Sequence, residues 1–130
     1  MVIDSSALLA IVLGEPEAAD FLRIIKNAPI RRVSAASFLE TGMVLRRDRS
    51  GQREQLFEDL IVALRISIAA VTEQQARAAL AAFGSYGKGS GHPAVLNFGD
   101  CFAYALAKIS GEPLLFKGTD FARTDIQAAL

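Results

Sequence analysis

The sequence has only one cysteine and one histidine among its 130 residues. A single cysteine, Cys101, excludes an intrachain disulfide and favours a reducing compartment, so we expect a cytoplasmic protein. Cys101 lies in an apolar run with no histidine nearby, which is typical of a small buried side chain and not of a nucleophile or metal ligand. His92 stands between a glycine and a proline, which predicts a surface residue. The sequence therefore offers no Ser-His-Asp or Cys-His catalytic arrangement.

Net charge and long apolar runs are also missing. The 14 basic residues are balanced by 14 acidic ones, so overall charge gives no support to a nucleic-acid substrate. No apolar run approaches the roughly 18 residues of a membrane span. The opening Met1-Val2-Ile3-Asp4 has no basic region, so we expect neither a signal peptide nor a membrane partner. Walker and G-x-G-x-x-G phosphate-binding patterns are absent as well.

One local excess of positive charge stands out against this balance. Arg46, Arg47, Arg49 and Arg53 follow one another closely, opposed only by Asp48. Two interpretations remain open. The arginines form a solvated helix end, because cations favour helix C-termini, or they grip RNA.

Composition favours a folded chain. Hydrophobic residues make up 52% of the sequence and charged residues 22%, values typical of a globular protein. A length of 130 residues is enough to bury a core and leaves no room for a second domain. We therefore predict a single domain over residues 1–130, with no linker or internal repeat.

Short apolar runs alternate with helical patterns along the chain. Strands are predicted at 2–3, 30–33, 66–71 and 113–116, with a fifth near 125–126. Between them, helices are predicted at 7–13, 15–26, 34–49, 56–64, 72–83 and 99–109, and a loop at 84–97. Short apolar strands that alternate with helices predict a parallel sheet covered on both faces.

Ligands bind in such folds outside the carboxyl ends of the strands, and three of four acidic residues lie within a few residues of a strand's carboxyl end or a helix N-terminus. Asp4 ends the first strand, and Asp120 lies just after the strand at 113–116. Asp100 opens the helix that precedes that strand, and Glu40 lies two turns into the helix that follows the second strand. We therefore expect all four side chains to project into one crevice.

Each acid taken alone also has an ordinary structural explanation, as a turn residue or a helix cap. Asp100, for example, suits a helix N-cap. Glu40 with Ser37 matches the S-x-x-E capping box. The helical pattern already begins near Ser34, however, so Ser37 comes too late to be its cap. Glu40 is thus the acid for which the structural explanation fails.

Clustered carboxylates have a known chemical use. They raise one another's pKa unless a cation neutralises them, and an all-oxygen site of hard anionic ligands selects Mg²⁺ or Mn²⁺. Such an ion, alone or with a second one, polarises a phosphodiester and activates water for in-line attack. The four acids therefore predict a metal site with hydrolytic activity.

The segments that carry these acids resemble PIN-domain proteins of the VapC type, the toxin half of bacterial toxin–antitoxin pairs. The matching segments are 1–8, 37–41, 96–107 and 113–121, and the resemblance covers essentially the whole chain. It implies a PIN-like three-layer α/β/α fold, with a short parallel sheet of four to five strands flanked by about seven helices. It also implies Mg²⁺- or Mn²⁺-dependent endonucleolytic cleavage of structured RNA (tRNA, rRNA or mRNA) that inhibits translation.

The resemblance also implies roles for individual residues. The family's acidic positions, both catalytic and metal-binding, are matched by Asp4, Glu40, Asp100 and Asp120. Ser5 stands where the family often has threonine, and its hydroxyl is expected to hold a water at the metal. Thr119 stands where many relatives carry asparagine, so it keeps an oxygen but loses the amide. Asp125 is a further acid nearby that we do not count as a ligand.

Partners follow from the same resemblance. Relatives form homodimers and are silenced by a small VapB-type antitoxin, whose tail lies across the toxin and places a basic residue in the acidic pocket. The apolar stretches 7–13 and 56–64 suit a groove for such a tail. Packing in the core explains the same residues equally well.

Two alternative functions remain. An aspartyl-phosphate phosphotransfer domain would share the fold class and Asp4, but it would require two acids at the first strand and would not need Glu40. A non-catalytic PIN-fold interaction module would not need all four acids.

Overall fold

The computed structural model describes residues 1–130 and contains one four-stranded parallel sheet. The strands are β1 (Val2–Ile3), β2 (Arg32–Ser34), β3 (Ser67–Ala69) and β4 (Leu114–Leu115), in the order β3-β2-β1-β4. All three strand pairings are parallel, as the alternation of strands and helices predicted. Because β1 and β4 are neighbours, Asp4 and the turn that carries Asp120 leave the sheet side by side.

Six α-helices and one 3-10 helix connect and cover the strands. The α-helices are α1 (Ser5–Val12), α2 (Ala18–Asn27), α3 (Ala35–Leu45), α4 (Gln52–Ala63), α5 (Glu73–Tyr86) and α6 (Phe98–Ser110). The 3-10 helix is Phe121–Arg123. This count agrees with the predicted seven or so helices. None of the helices combines the length and apolar character that a membrane crossing requires.

Two hydrophobic cores lie on opposite faces of the sheet. Alternate residues of a strand point to opposite faces, and here Ile3 and Leu115 belong to one core while Val2 and Leu114 belong to the other. The first core is completed by α1, α2 and α4, and the second by α5 and α6. Each fully buried Leu or Ile contributes about 1.5–3 kcal/mol. The predicted three-layer α/β/α arrangement is confirmed.

The predicted fifth strand at 125–126 is reduced to one bridge and shifted along the chain. Leu114 pairs in parallel with Ala128; its N–H donates to the Gln127 carbonyl at 2.9 Å. Asp125 itself accepts hydrogen bonds from the side chains of Tyr104 and Lys108, both at 2.6 Å. These contacts hold Asp125 against α6, so the chain reaches the edge of β4 two residues later than predicted.

The end of helix α3 and the start of strand β2 also differ from the sequence prediction. Helix α3 ends at Leu45 and not at Arg49, because Asp48 accepts hydrogen bonds from the N–H and hydroxyl of Ser50 and forms a turn. Strand β2 begins at Arg32 and not at Ile30. The Arg32 N–H donates to the Met1 carbonyl, and this bond sets the register of the pair.

The two residues excluded from catalysis occupy structural positions. Cys101 is buried, as predicted. His92 is partly buried and not fully exposed: its ring packs edge-on against Tyr86, with centroids 4.9 Å apart. Its Nδ1 accepts a hydrogen bond from the Ala94 N–H at 3.1 Å. His92 therefore orders the loop before α6.

Candidate active site

Asp4 links the sheet to the first helix. It follows β1 and is the N-cap of α1, where its Oδ2 accepts a hydrogen bond from the Ser6 N–H at 2.9 Å. The residue is only 3% exposed. Burial raises the pKa of Asp4 to about 6, and the negative charges of Asp100 and Glu40 add to this effect. Asp4 is thus a buried carboxylate with one oxygen, Oδ1, that has no hydrogen-bond partner within the protein.

Asp100 lies in the first turn of α6 and has two uses. The N-cap of this helix is Asn97 and not Asp100: Asn97 Oδ1 accepts from the Asp100 N–H, and Asp100 Oδ2 accepts from the Asn97 N–H, each at 2.9 Å. This capping box occupies one carboxylate oxygen and leaves Oδ1 for another purpose. Burial raises the pKa of Asp100, and so do the charges of Asp120 and Glu40.

Glu40 reaches the site from the second turn of α3. Ser34 caps that helix, accepting from the Ala36 N–H at 3.3 Å, so Ser37 is not its cap, as the pattern predicted. The Ser5 hydroxyl donates to Glu40 Oε1 at 2.5 Å. The role that the resemblance implied for this hydroxyl, holding a water at the metal, stays a prediction, because its oxygen is still able to accept a hydrogen bond while it donates to Glu40. Ser5 therefore holds an acidic side chain in place.

Asp120 is at the end of the turn that follows β4. It is exposed, and its charge acts on Asp100. The turn is tied to the start of α1 because the Lys117 N–H donates to Ser6 Oγ at 2.9 Å. The Lys117 ammonium also bonds the carboxylates of Glu15 and Glu17. Both contacts hold the turn close to Asp4.

The four predicted acids form one cluster, in which the negative charge of each acid affects the pKa of at least one other or is itself affected. Asp100 is its centre, since its charge acts on Asp4 while Asp120 and Glu40 act on it in turn. Glu40 also acts directly on Asp4. The structure thus brings together at one edge of the sheet the four acids that the sequence places far apart.

Two other residues near the site in sequence make no contribution of this kind. Thr119 is exposed, and its side chain makes no hydrogen bond within the protein. Asp125 is paired with Tyr104 and Lys108, and Lys108 lowers the pKa of this carboxyl, as does the hydrogen bond from Tyr104. Asp125 therefore lies outside the acidic cluster.

The donor set suits a hydrated divalent cation. No three Asp, Glu, His or Cys side chains are placed closely enough to bind one metal ion directly, so the residues do not form a closed cage of the zinc type. Mg²⁺ needs no such cage, because it keeps several waters and binds through one or two carboxylates. Asp4 and Asp100 each present a carboxylate oxygen free of protein hydrogen bonds, and buried like charges are relieved by a cation.

A groove beside the acids is lined by apolar side chains and one cation. It has a volume of about 730 Å³, and its lining includes Leu39, Glu40, Met43, Arg47, Phe98 and Phe102. Arg46 is paired with Glu54 at 2.5 Å, which fits the interpretation of that arginine as part of a solvated helix end. Arg47, by contrast, shares the groove with Glu40.

The two stretches expected to line a partner groove are used mainly in the core. In α1, Ala7, Leu8, Ala10 and Val12 are all buried, and Leu13 is the exposed apolar residue at its end. In 56–64, the exposed apolar side chains include Leu56 and Val62. Core packing therefore explains most of these residues.

Comparison with known proteins identifies the family. A family model described as PIN domain matches residues 1–127. This chain is a PIN-domain protein. Ribonuclease VapC28 of Mycobacterium tuberculosis is 48% identical to this PIN domain over 130 residues, covering all of this chain and 98% of the relative. Ribonuclease VapC30 of the same species is 49% identical over 128 residues, covering 97% and 95%. The predicted resemblance to VapC-type PIN domains is confirmed.

Two solved structures share the fold of this PIN domain. Mycobacterium tuberculosis VapC20, described as a sarcin–ricin loop cleaving toxin, matches with a TM-score of 0.77 at 15% identity, covering 96% of this chain and 95% of that chain. A toxin–antitoxin complex from Klebsiella pneumoniae matches with a TM-score of 0.70 at 21% identity, covering 93% and 89%. At these identities the likeness concerns the fold alone, and it agrees with the predicted PIN-like architecture.

Proposed function

We propose that this PIN-domain protein is a Mg²⁺- or Mn²⁺-dependent endoribonuclease that acts as the toxin of a toxin–antitoxin pair. The observation that carries the proposal is the cluster of Asp4, Glu40, Asp100 and Asp120 at the carboxyl ends of β1 and β4. Relatives that match over the whole chain are named ribonucleases. We propose that the protein acts on RNA in the cytoplasm, the compartment predicted from the sequence.

The side chains of the cluster have distinct parts in this proposal. A divalent cation supplies polarisation of the phosphodiester and acidifies a water. Asp4 and Asp100 would hold it through their remaining oxygens, since each carboxylate is fixed by a backbone N–H on its other oxygen. Asp120 is exposed and would add negative charge on the solvent side of the site, from which RNA would enter. Glu40, oriented by Ser5, would add negative charge that attracts the cation.

The substrate is single-stranded or loop RNA that can reach the exposed side of the acidic cluster, where Asp120 lies. Arg47 lies in the groove with Glu40 and is the best-placed of the four clustered arginines to contact a neighbouring phosphate. A small VapB-type antitoxin would control the enzyme by inserting a basic side chain among the acids, where it replaces the cation's charge. The acidic cluster supports this proposal, because an inserted cation would be neutralised there.

Removal of the metal tests the proposed activity. We expect the purified protein to cleave a pool of structured RNA with Mg²⁺ or Mn²⁺, to stop when EDTA is added, and to resume when Mn²⁺ is restored in excess. Sequencing of the cleaved ends identifies the RNA and the site. Cleavage that persists unchanged in EDTA would contradict the proposed mechanism.

A homodimer is part of the same proposal and has a candidate interface. Leu39 and Met43 on α3, Leu80 on α5 and Phe98 on α6 are each more than 60% exposed. They line two cavities that share Phe98 and Phe102 and therefore form one continuous surface, which we call the apolar face. Exposed apolar patches of this kind mark interaction sites, and a second copy covers the patch with the same residues.

Sedimentation of a charged variant tests the apolar face. Met43→Glu buries a charge in the proposed interface, so we expect the dimer of the parent protein to become a monomer. Val62→Glu is the matched control, since Val62 is 75% exposed on α4 and lies outside the apolar face. A parent protein that is monomeric at micromolar concentration, or a Met43→Glu variant that stays dimeric, would overturn this interface.

The two alternative functions are less well supported. A phosphotransfer domain requires a lysine near its aspartate, but Lys117, which follows β4, bonds Glu15 and Glu17 instead. A non-catalytic module has no need for a buried carboxylate such as Asp4, whose burial is unfavourable without a cation.

A further inference from the structure

Gly99 occupies a helical position where glycine has no backbone function. It lies in the first turn of α6 between Phe98 and Asp100, and its φ is not among the positive values of the chain. A glycine inside a helix is destabilising relative to alanine, because it has more backbone freedom to lose. Some other requirement must therefore favour a residue without a side chain at this position.

The space left by the missing side chain is filled by the carboxylate of Glu40. A Cβ added to Gly99 would overlap Glu40 Oε2 and would lie 3.0 Å from Cδ and 3.2 Å from Oε1. The whole carboxylate thus rests against the Gly99 Cα. Of the ten glycines, the six with positive φ and the helical Gly42 and Gly84 have no atom within 4 Å of an added Cβ.

Ser5 forms the opposite wall of the same position. Its hydroxyl donates to Glu40 Oε1 at 2.5 Å. Ser5 directly follows Asp4, and Gly99 directly precedes Asp100. The two residues that enclose the Glu40 carboxylate are therefore covalent neighbours of two other acids of the cluster, Asp4 and Asp100.

We infer that Gly99 is a positioning residue: its bare Cα and the Ser5 hydroxyl form a seat that fixes the Glu40 carboxylate relative to Asp4 and Asp100. Gly99 acts through Glu40 and does not itself touch the substrate. The functional consequence of the seat rests on the proposed metal site, whereas the seat itself is a property of the metal-free protein.

Gly99→Ala separates positioning from folding. The overlapping atom is the end of a flexible side chain, so the helix accommodates alanine and Glu40 moves away. We expect the melting temperature of the metal-free variant to equal or exceed that of the parent, while its affinity for Mn²⁺ falls by about 10- to 100-fold, as for other residues that orient a metal ligand. Gly84→Ala on α5 is the matched control, with unchanged Mn²⁺ affinity expected.

A double variant tests whether Gly99 acts through Glu40. In a Glu40→Ala background the seat is empty, so Gly99→Ala should cause no further loss of Mn²⁺ affinity. The inference is overturned if Gly99→Ala leaves the affinity of the parent unchanged, or if it weakens binding equally whether or not Glu40 is present.

A crystal structure of metal-free Gly99→Ala decides the matter even if the parent binds no Mn²⁺, a result that would refute the proposed metal site and not the seat. We expect Glu40 to be displaced and its hydrogen bond with Ser5 to be broken. An unmoved Glu40 that keeps this bond would overturn the inference.

Discussion

Asp4→Asn is expected to lower the rate of metal-dependent RNA cleavage by at least about a thousandfold, because a bound cation contributes several kcal/mol to the transition state. Asn keeps the oxygen that accepts the Ser6 N–H, so the cap of α1 and the fold are retained. What is lost is the negative charge that attracts the cation. Single-turnover cleavage with saturating protein measures the rate, and circular dichroism confirms the fold.

Asp125→Asn is the matched control for this loss. Asp125 is an aspartate like Asp4, but it lies outside the acidic cluster and its partners are Tyr104 and Lys108. We expect this variant to melt at a lower temperature and to cleave RNA at the parent rate. If Asp4→Asn cleaves as well as the parent, or if both variants lose activity alike, the assignment of the acidic site is wrong.

The second large effect concerns stability in the absence of metal. The pKa of Asp4 is about 6 in the folded protein against 3.8 for an ordinary Asp, so the folded state holds this proton more tightly. The stabilisation is fully present below pH 4 and is lost as the pH rises through 6. At 1.36 kcal/mol per pKa unit the loss is on the order of 3 kcal/mol.

Urea unfolding in EDTA from pH 4 to pH 7 measures this loss as the difference between the free energies of unfolding of the parent and of Asp4→Asn. The parent should become less stable relative to Asp4→Asn as the pH rises, because Asn carries no charge to bury. Mn²⁺ should reverse the difference at pH 7, since a ligand present at about 100 times its Kd adds about 2.7 kcal/mol to the parent. A difference that stays constant with pH would show that burial of the Asp4 charge has no such effect.

Local pattern was sufficient to predict the acids and the parallel fold. Asp4 and Asp120 could be placed because parallel strands direct their carboxyl ends to one edge. Ser34 as the cap of α3 follows from the start of an apolar helical pattern. The Asn97–Asp100 capping box was also visible in the sequence, as a cap residue followed by an acid three positions later, although the only N-cap that we considered for this helix was Asp100.

Contacts between distant segments were beyond the reach of local pattern. Ser5 and Glu40 are 35 residues apart, and Lys117 is 102 residues from Glu15, so only the folded chain shows that these pairs meet. Gly99 has no distinguishing mark in the sequence, because its function depends on a side chain from another helix. The shifted fifth strand has the same origin, since Asp125 is held by α6 and not by its neighbours in sequence.

Anomalous diffraction from a crystal of the protein grown with Mn²⁺ tests most directly whether the four acids form one metal site. We predict a peak about 2.1 Å from free oxygens of Asp4 and Asp100, with Asp120 and Glu40 around the waters that complete its coordination. A fully occupied peak elsewhere on the chain, with none between Asp4 and Asp100, would contradict the metal site and the mechanism built on it.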